Sequence, residues 1–168
     1  MRTIAIANQK GGCGKTTTAV NVAAALALRG KRILLVDLDP QAHSTLGLGQ
    51  NPEALDNTIY DVLTNQKVSM LSVIISTPVT GLNVAPNNIL LSGAEYELAS
   101  QYGREYVLRN RLDSVSGYYE ICIIDCSPSL SLLTLNALVA ADEVLIPVQT
   151  QYYALEGLKQ LLETIDFV

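Results

Sequence analysis

Hydrophobic residues fall along this chain in two rhythms. Thr3-Ile4-Ala5-Ile6-Ala7, Ile33-Leu34-Leu35-Val36, Tyr118 to Asp125 and Val144-Leu145-Ile146-Pro147-Val148 are short, nearly unbroken apolar runs. Such runs predict strands buried on both faces, since alternation is needed only where one face meets water. From Thr16 to Leu28 the apolar positions instead recur at helical spacing, at Ala19, Val20, Val22, Ala23, Leu26 and Ala27, and Gly30 stands where a helix C′ glycine belongs. The opening forty residues therefore read as one β-α-β unit. Further helices are predicted over Thr58 to Leu63, Ala94 to Gln101, Glu105 to Leu112, Ser131 to Ala140 and from Tyr153 onward. Brief strands are predicted at Val73-Ile74-Ile75 and Leu82-Asn83-Val84, and a mobile loop between Gln41 and about Asn57. The expected fold class is α/β, a mostly parallel β-sheet with helices on both faces.

Length narrows this to a single domain over residues 1–168, long enough to bury a core without metal or disulfide staples. The last predicted helix runs into Val168 with no cap or polar tail, so the chain reads as C-terminally truncated, with part of its domain missing. An acidic balance, 16 Asp and Glu against 11 Lys and Arg for a net charge of −5, argues against coating nucleic acid by charge alone. No apolar run approaches the roughly 18 residues of a membrane span, and no signal peptide opens the chain, so a cytoplasmic location is expected. The three cysteines, Cys13, Cys122 and Cys126, read as reduced thiols that lack the partners for a metal tetrad. Arg104, Arg109 and Arg111 read as a solvated helical face.

Candidate chemistry concentrates after the first strand, in Lys10-Gly11-Gly12-Cys13-Gly14-Lys15-Thr16-Thr17. There, between strand and helix, peptide N–H groups and the positive end of a helix dipole converge, which favours phosphate. The glycines let the backbone turn and approach an anion, Lys15 can neutralise phosphate charge, and the Thr16 hydroxyl can ligate Mg²⁺. The expected ligand is a nucleoside triphosphate with magnesium. An ordinary phosphate-loop pattern would place glycine at Gln9; the informative departure is the additional Lys10. Asp37, Asp39 and Asp125 close predicted strands, where the carboxyl ends of a parallel sheet form a ligand crevice. The competing reading for each is an acid that caps the following loop, and for Asp37 it is nearly as good. His43 reads as a solvated loop residue.

The stretch from residue 10 to 17 resembles the deviant Walker A motif, K-G-G-x-G-K-T-T, of the ParA/Soj partition ATPases within the MinD/ParA superfamily of P-loop NTPases. The resemblance extends through Asp37-Leu38-Asp39-Pro40-Gln41, Ile124-Asp125-Cys126-Ser127-Pro128-Ser129-Leu130, Thr134-Leu135-Asn136-Ala137-Leu138 and Gln151-Tyr152-Tyr153-Ala154-Leu155-Glu156-Gly157-Leu158. It implies a slow, Mg-dependent ATPase in chromosome or plasmid partition, with Lys10, Lys15 and Asp39 as catalytic residues. By that likeness Lys10 reaches across an ATP-dependent homodimer to the partner's phosphates and Asp39 positions the attacking water. Asp125 holds Mg²⁺ through its water shell; beside that likeness, Asp37 reads as an outer magnesium ligand behind it. The implied partners are a ParB/Spo0J-type centromere-binding protein and non-specific DNA, the latter bound beyond residue 168, with nucleoid association when dimeric and no membrane. ATP over GTP follows from the resemblance and from the lack of an N-K-x-D guanine motif. Three alternatives use the same kind of loop. A MinD-like division-site regulator would need an amphipathic membrane helix, and Gln9 favours the partition branch over it. A carboxylate-activating synthetase akin to dethiobiotin synthetase would need substrate-binding groups that the sequence does not reveal. An iron-sulfur electron donor like the nitrogenase iron protein would need cluster cysteines, which Cys122 and Cys126 do not match.

Overall fold

Every residue of strand β2 (Ile33–Leu38) is buried, and the reason is its place in the sheet. In the computed structural model, which describes residues 1–150 and 154–167, six strands lie in the order β3-β4-β2-β5-β1-β6. The others are β1 (Arg2–Ile6), β3 (Ile75–Ser76), β4 (Leu82–Ala85), β5 (Ile121–Cys126) and β6 (Glu143–Leu145). All pairings are parallel except β3 with β4. Side chains alternate across the pleat, so Leu34 and Val36 point into one apolar layer while Ile33 and Leu35 point into the other. Both layers are dry, which turns the period-2 pattern into a continuous apolar run. Complete burial of one such side chain stabilises the fold by about 1.5–3 kcal/mol.

Helix α1 (Lys15–Leu28) covers one face. Its buried stripe is Ala19, Ala23 and Ala27, four residues apart, and these small side chains let the helix lie close against Ile6, Leu35 and Ile123. It ends as the glycine predicts: Gly30 has φ +82°, its N–H donates to Ala27 O at 2.8 Å, and Lys31 N–H donates to Leu26 O at 3.2 Å, a Schellman motif. The opposite face is covered by α3 (Ile59–Thr64), α5 (Leu91–Ala99), α6 (Val107–Asp113) and α7 (Leu132–Ala140), through Ile59, Leu91, Leu98, Leu108, Leu112, Leu133 and Ala137. The remaining helices are α2 (His43–Gly47), α4 (Met70–Val73) and α8 (Ala154–Phe167). No helix among the described residues is long and apolar enough to cross a membrane.

Several local expectations are corrected. The stretch from 41 to 57 is not one open loop: it holds α2 and a 3₁₀ turn, Pro52–Ala54, capped by Asn51. Val73 ends a helix instead of starting a strand, because Ser69 caps α4 by accepting from Ser72 N–H, and strand pairing begins only at Ile75. The sixth strand stops at Leu145, short of Pro147, whose ring has no N–H to give a neighbour. Arg104 lies before α6 and donates to Ala99 O, so it does not share a helical face with Arg111, which donates to Asn65 O. Of the sequence block from Gln151 to Leu158, residues 151–153 lie outside the described residues.

Candidate functional site

Strand register sets two of the three aspartates, Asp37 and Asp125, side by side, and Asp39 follows just past the end of β2. Ile6 of β1 and Asp37 of β2 are both Cα partners of Asp125, from opposite sides of β5, so one row across the sheet ends β1, Asp125 and Asp37 at the same level. The chain leaving β1 above that row is the glycine-rich loop. Two glycines there require left-handed backbone, Gly12 at φ +68° and Gly14 at φ +94°, and Gly14 is the residue from which α1 springs. Thr18 N–H is the first to close a helical bond, onto Gly14 O at 2.8 Å, which leaves the earlier N–H groups at the helix start for an anion.

A cleft of about 420 Å³ lies here, lined by Gly11, Gly12, Gly14, Lys15, Thr16 and Thr17 together with Asp39, Gln41, His43 and Pro128. Wider clefts of about 580 and 690 Å³ border α8, but neither includes a phosphate-loop residue or any of the three strand-end aspartates. Lys15 is buried and its ammonium donates to Lys10 O at 3.1 Å, folded back onto the loop's own carbonyl. Lys10 N–H donates to Asn8 Oδ1 at 3.0 Å.

Asp125 is fully buried. Its Oδ2 accepts from Ser44 Oγ at 2.7 Å, while its Oδ1 has no hydrogen-bond partner. Burial pushes this carboxyl above the usual range; the hydroxyls of Ser44 and Thr16 and the Lys15 ammonium oppose that, and Asp39 adds to it. A buried anionic oxygen without a donor is costly, and a hydrated cation beside Thr16 would satisfy it. Among the described residues no cluster of three His, Cys, Asp or Glu could cage a metal. Mg²⁺ keeps several waters and leans on phosphate oxygens.

Asp37 differs. Its Oδ2 accepts from both Thr45 N–H, at 2.8 Å, and Thr45 Oγ1, at 2.7 Å, and its Oδ1 accepts from Asp39 N–H at 3.1 Å. Burial pushes its carboxyl up to about 7, against the pull of Thr45; Asp125 adds to the rise and the Asp39 N–H opposes it. Asp39 sits on the cleft wall, with Oδ1 accepting from Gln41 N–H at 3.0 Å. His43 is exposed, as expected, but it opens α2 instead of lying in a loop, and it lines the same cleft. Cys122 and Cys126 are free, buried in one apolar layer, with both thiols raised by burial.

Other residues at the site carried no signal noticed in the sequence. Asn8 bridges the loop to the end of the sheet, its Nδ2 donating to Pro147 O at 2.7 Å, and Gln149 Nε2 donates to Gly12 O at 2.9 Å. Ser44, Thr45 and Asn87 are buried around the aspartates. One signal was available: Asn8, Asp37 and Asp39 each accept from the N–H two residues on, an Asx turn, and Asn or Asp at the end of a strand favours it.

The sequence profile of the AAA domain matches residues 1–168. The sporulation initiation inhibitor protein Soj of Bacillus subtilis is 52% identical over 165 residues, covering 98% of this chain and 65% of that protein. The chromosome partitioning protein ParA of Myxococcus xanthus is 52% identical over 167 residues, covering 99% of this chain and 59% of that one. The chain thus spans about two thirds or less of the length of these relatives. Among solved structures, the cobyrinic acid a,c-diamide synthase of Mycobacterium smegmatis with bound ADP and magnesium superposes with a TM-score of 0.96 at 44% identity, covering 100% of this chain and 68% of that one. With the phosphate loop and Asp39 on one cleft, and Asp37 and Asp125 buried side by side at the same end of this parallel sheet, the chain belongs to the ParA/Soj family of the AAA domain.

Proposed function

We propose that the chain is the nucleotide-binding core of an ATP-driven partition switch. The observation that supports this most is the convergence of the phosphate loop and Asp39 on one cleft, with the unpartnered Asp125 oxygen buried beside Thr16 and Lys15. Backbone N–H groups of residues 10–17 and the start of α1 receive the phosphates. The Lys15 ammonium exchanges its contact with Lys10 O for phosphate oxygens, so its acceptor changes from a neutral carbonyl to an anion. Thr16 and Asp125 would hold magnesium, with Asp37 behind them; when bound, that ion would neutralise phosphate charge. Asp39 orients the attacking water. Lys10 reaches the phosphates of a second copy, so ATP links the two copies, and a triphosphate sealed between them carries enough negative charge to need the added cation. Turnover is slow, since neither an arginine finger nor a water-orienting glutamine is assigned. Non-specific DNA and a ParB-type protein are the partners proposed for the whole protein, with DNA held by residues beyond 168 and the dimer resident on the nucleoid.

Light scattering with ADP and ATP tests this on the wild type and on Lys15→Ala, Lys10→Ala and Asp39→Ala. ATP-dependent dimers are expected for the wild type, no ATP binding for Lys15→Ala, binding without dimers for Lys10→Ala and a persistent ATP-bound dimer for Asp39→Ala. An ATP-dependent dimer of Lys10→Ala refutes its role across the interface. The name of the Mycobacterium smegmatis protein keeps carboxylate activation as a second reading. Phosphate release that requires an added carboxylic acid would favour it.

A further inference from the structure

Asp39 is held by more than its own turn. Its N–H donates to Asp37 Oδ1 at 3.1 Å, and its carbonyl accepts from Asn87 Nδ2 and from Ala42 N–H, both at 2.8 Å. Asn87 lies just past β4, 48 residues away in sequence. The two sides of this clamp are joined by Thr45. Its hydroxyl donates to Asp37 Oδ2 at 2.7 Å and accepts from Asn87 N–H at 2.9 Å. Asp37, Thr45 and Asn87 are all fully buried, so water does not compete for these bonds. The hydroxyl proton is committed to Asp37 and a lone pair to Asn87, so each group in the ring has one directional job. A residue that fixes where Asp39 sits would in this way fix where its carboxylate holds water.

We propose that Thr45 and Asn87 are positioning residues for hydrolysis, closing a buried hydrogen-bonded ring through Asp37 that clamps the Asp39 peptide on the wall of the nucleotide cleft. The proposal rests on the reading of Asp39 as the water-orienting group. The side-chain hydrogen bonds of Thr45 and Asn87 go to Asp37, Asp39 and each other and not to the phosphate loop, so nucleotide binding and hydrolysis should separate. Thr45→Val keeps the shape and removes both hydroxyl bonds, whereas Thr45→Ser keeps the hydroxyl.

The experiment measures ATP affinity by titration and single-turnover hydrolysis for the full chain and its variants, with and without Asp39→Ala. Thr45→Val is expected to leave ATP affinity within about twofold and to slow hydrolysis by about ten- to a hundredfold, the scale of a misplacement near 1 Å. Thr45→Ser is expected to restore the rate. In the Asp39→Ala background Thr45→Val should have no further effect, because the group it positions is gone. Equal slowing in both backgrounds, or an equal loss of affinity and rate, overturns the proposal. If Thr45→Val does not fold, Asn87→Ala carries the same pattern and the same refutation. Wild-type hydrolysis by Asp39→Ala alone refutes the underlying reading of Asp39, and the proposal with it; normal slowing by Asp39→Ala with a silent Thr45→Val and a silent Asn87→Ala refutes the proposal alone.

Discussion

Asp125→Asn should make the protein more stable and less able to respond to its ligand. In the wild type a fully buried carboxylate has one oxygen bonded to Ser44 and the other unpartnered. An unsatisfied buried acceptor costs about 1–3 kcal/mol. With asparagine, the amide oxygen keeps the Ser44 hydroxyl, and the gain comes from removing a buried negative charge that burial and Asp39 disfavour. A gain of about 1–2 kcal/mol corresponds to a rise in Tm of roughly 2–8 °C for a chain of this size. The ligand effect has the opposite sign. At a hundred times its Kd a ligand stabilises by about 2.7 kcal/mol, or roughly 5–11 °C. Wild-type protein should show that shift with Mg-ATP and much less of it in EDTA, while the variant should show no difference between the two. The assay is a thermal-unfolding series over nucleotide concentration with magnesium or chelator, so the two melting curves of wild type and variant cross in order as ligand is added. An unliganded variant that melts several degrees below wild type refutes the reasoning from the buried charge. A variant that keeps the full magnesium-dependent shift refutes the assignment of Asp125 to the ion.

Gly14→Ala tests the loop backbone: an added Cβ meets nothing within 4 Å, so the loss reflects only the left-handed conformation at φ +94°. It should be about 1–2 kcal/mol in urea unfolding. A neutral substitution would disprove that geometry. In native protein at pH 8, a disulfide reagent should spare Cys122 and Cys126, whose thiols burial has raised, and should label all three cysteines once the chain is unfolded; bound Mg-ATP should protect any labelling of Cys13. Asp37 gives a pH signature. Its folded-state value is raised to about 7, so its contribution to stability is complete below the unfolded value near 3.8 and is lost as pH rises through 7. Urea midpoints of the metal-free protein should therefore fall more steeply between pH 5 and 8 for the wild type than for Asp37→Asn; identical slopes would contradict the assignment.

Sequence alone determined the features that depend on neighbours. The β-α-β opening, the Schellman glycine at Gly30 and the phosphate loop are written within a few residues of one another, because helix periodicity, buried-strand composition and left-handed glycines are local constraints. The parallel sheet followed from the continuous apolar runs. Short elements were less legible: α2, α4 and the two-residue β3 contain too few positions for a period to show, and tertiary contacts fix them.

Only the tertiary structure decided how the site is assembled. Strand order sets β5 between β1 and β2, which puts Asp125 beside Asp37 and within reach of Ser44, 81 residues away. It also differentiates three aspartates that look alike in the sequence. Asp37 is filled with donors, Asp39 faces the cleft and Asp125 keeps an oxygen without one. The physical reason is that a carboxylate's chemistry is set by the donors and dielectric around it, and those come from segments that the fold brings together across the whole chain.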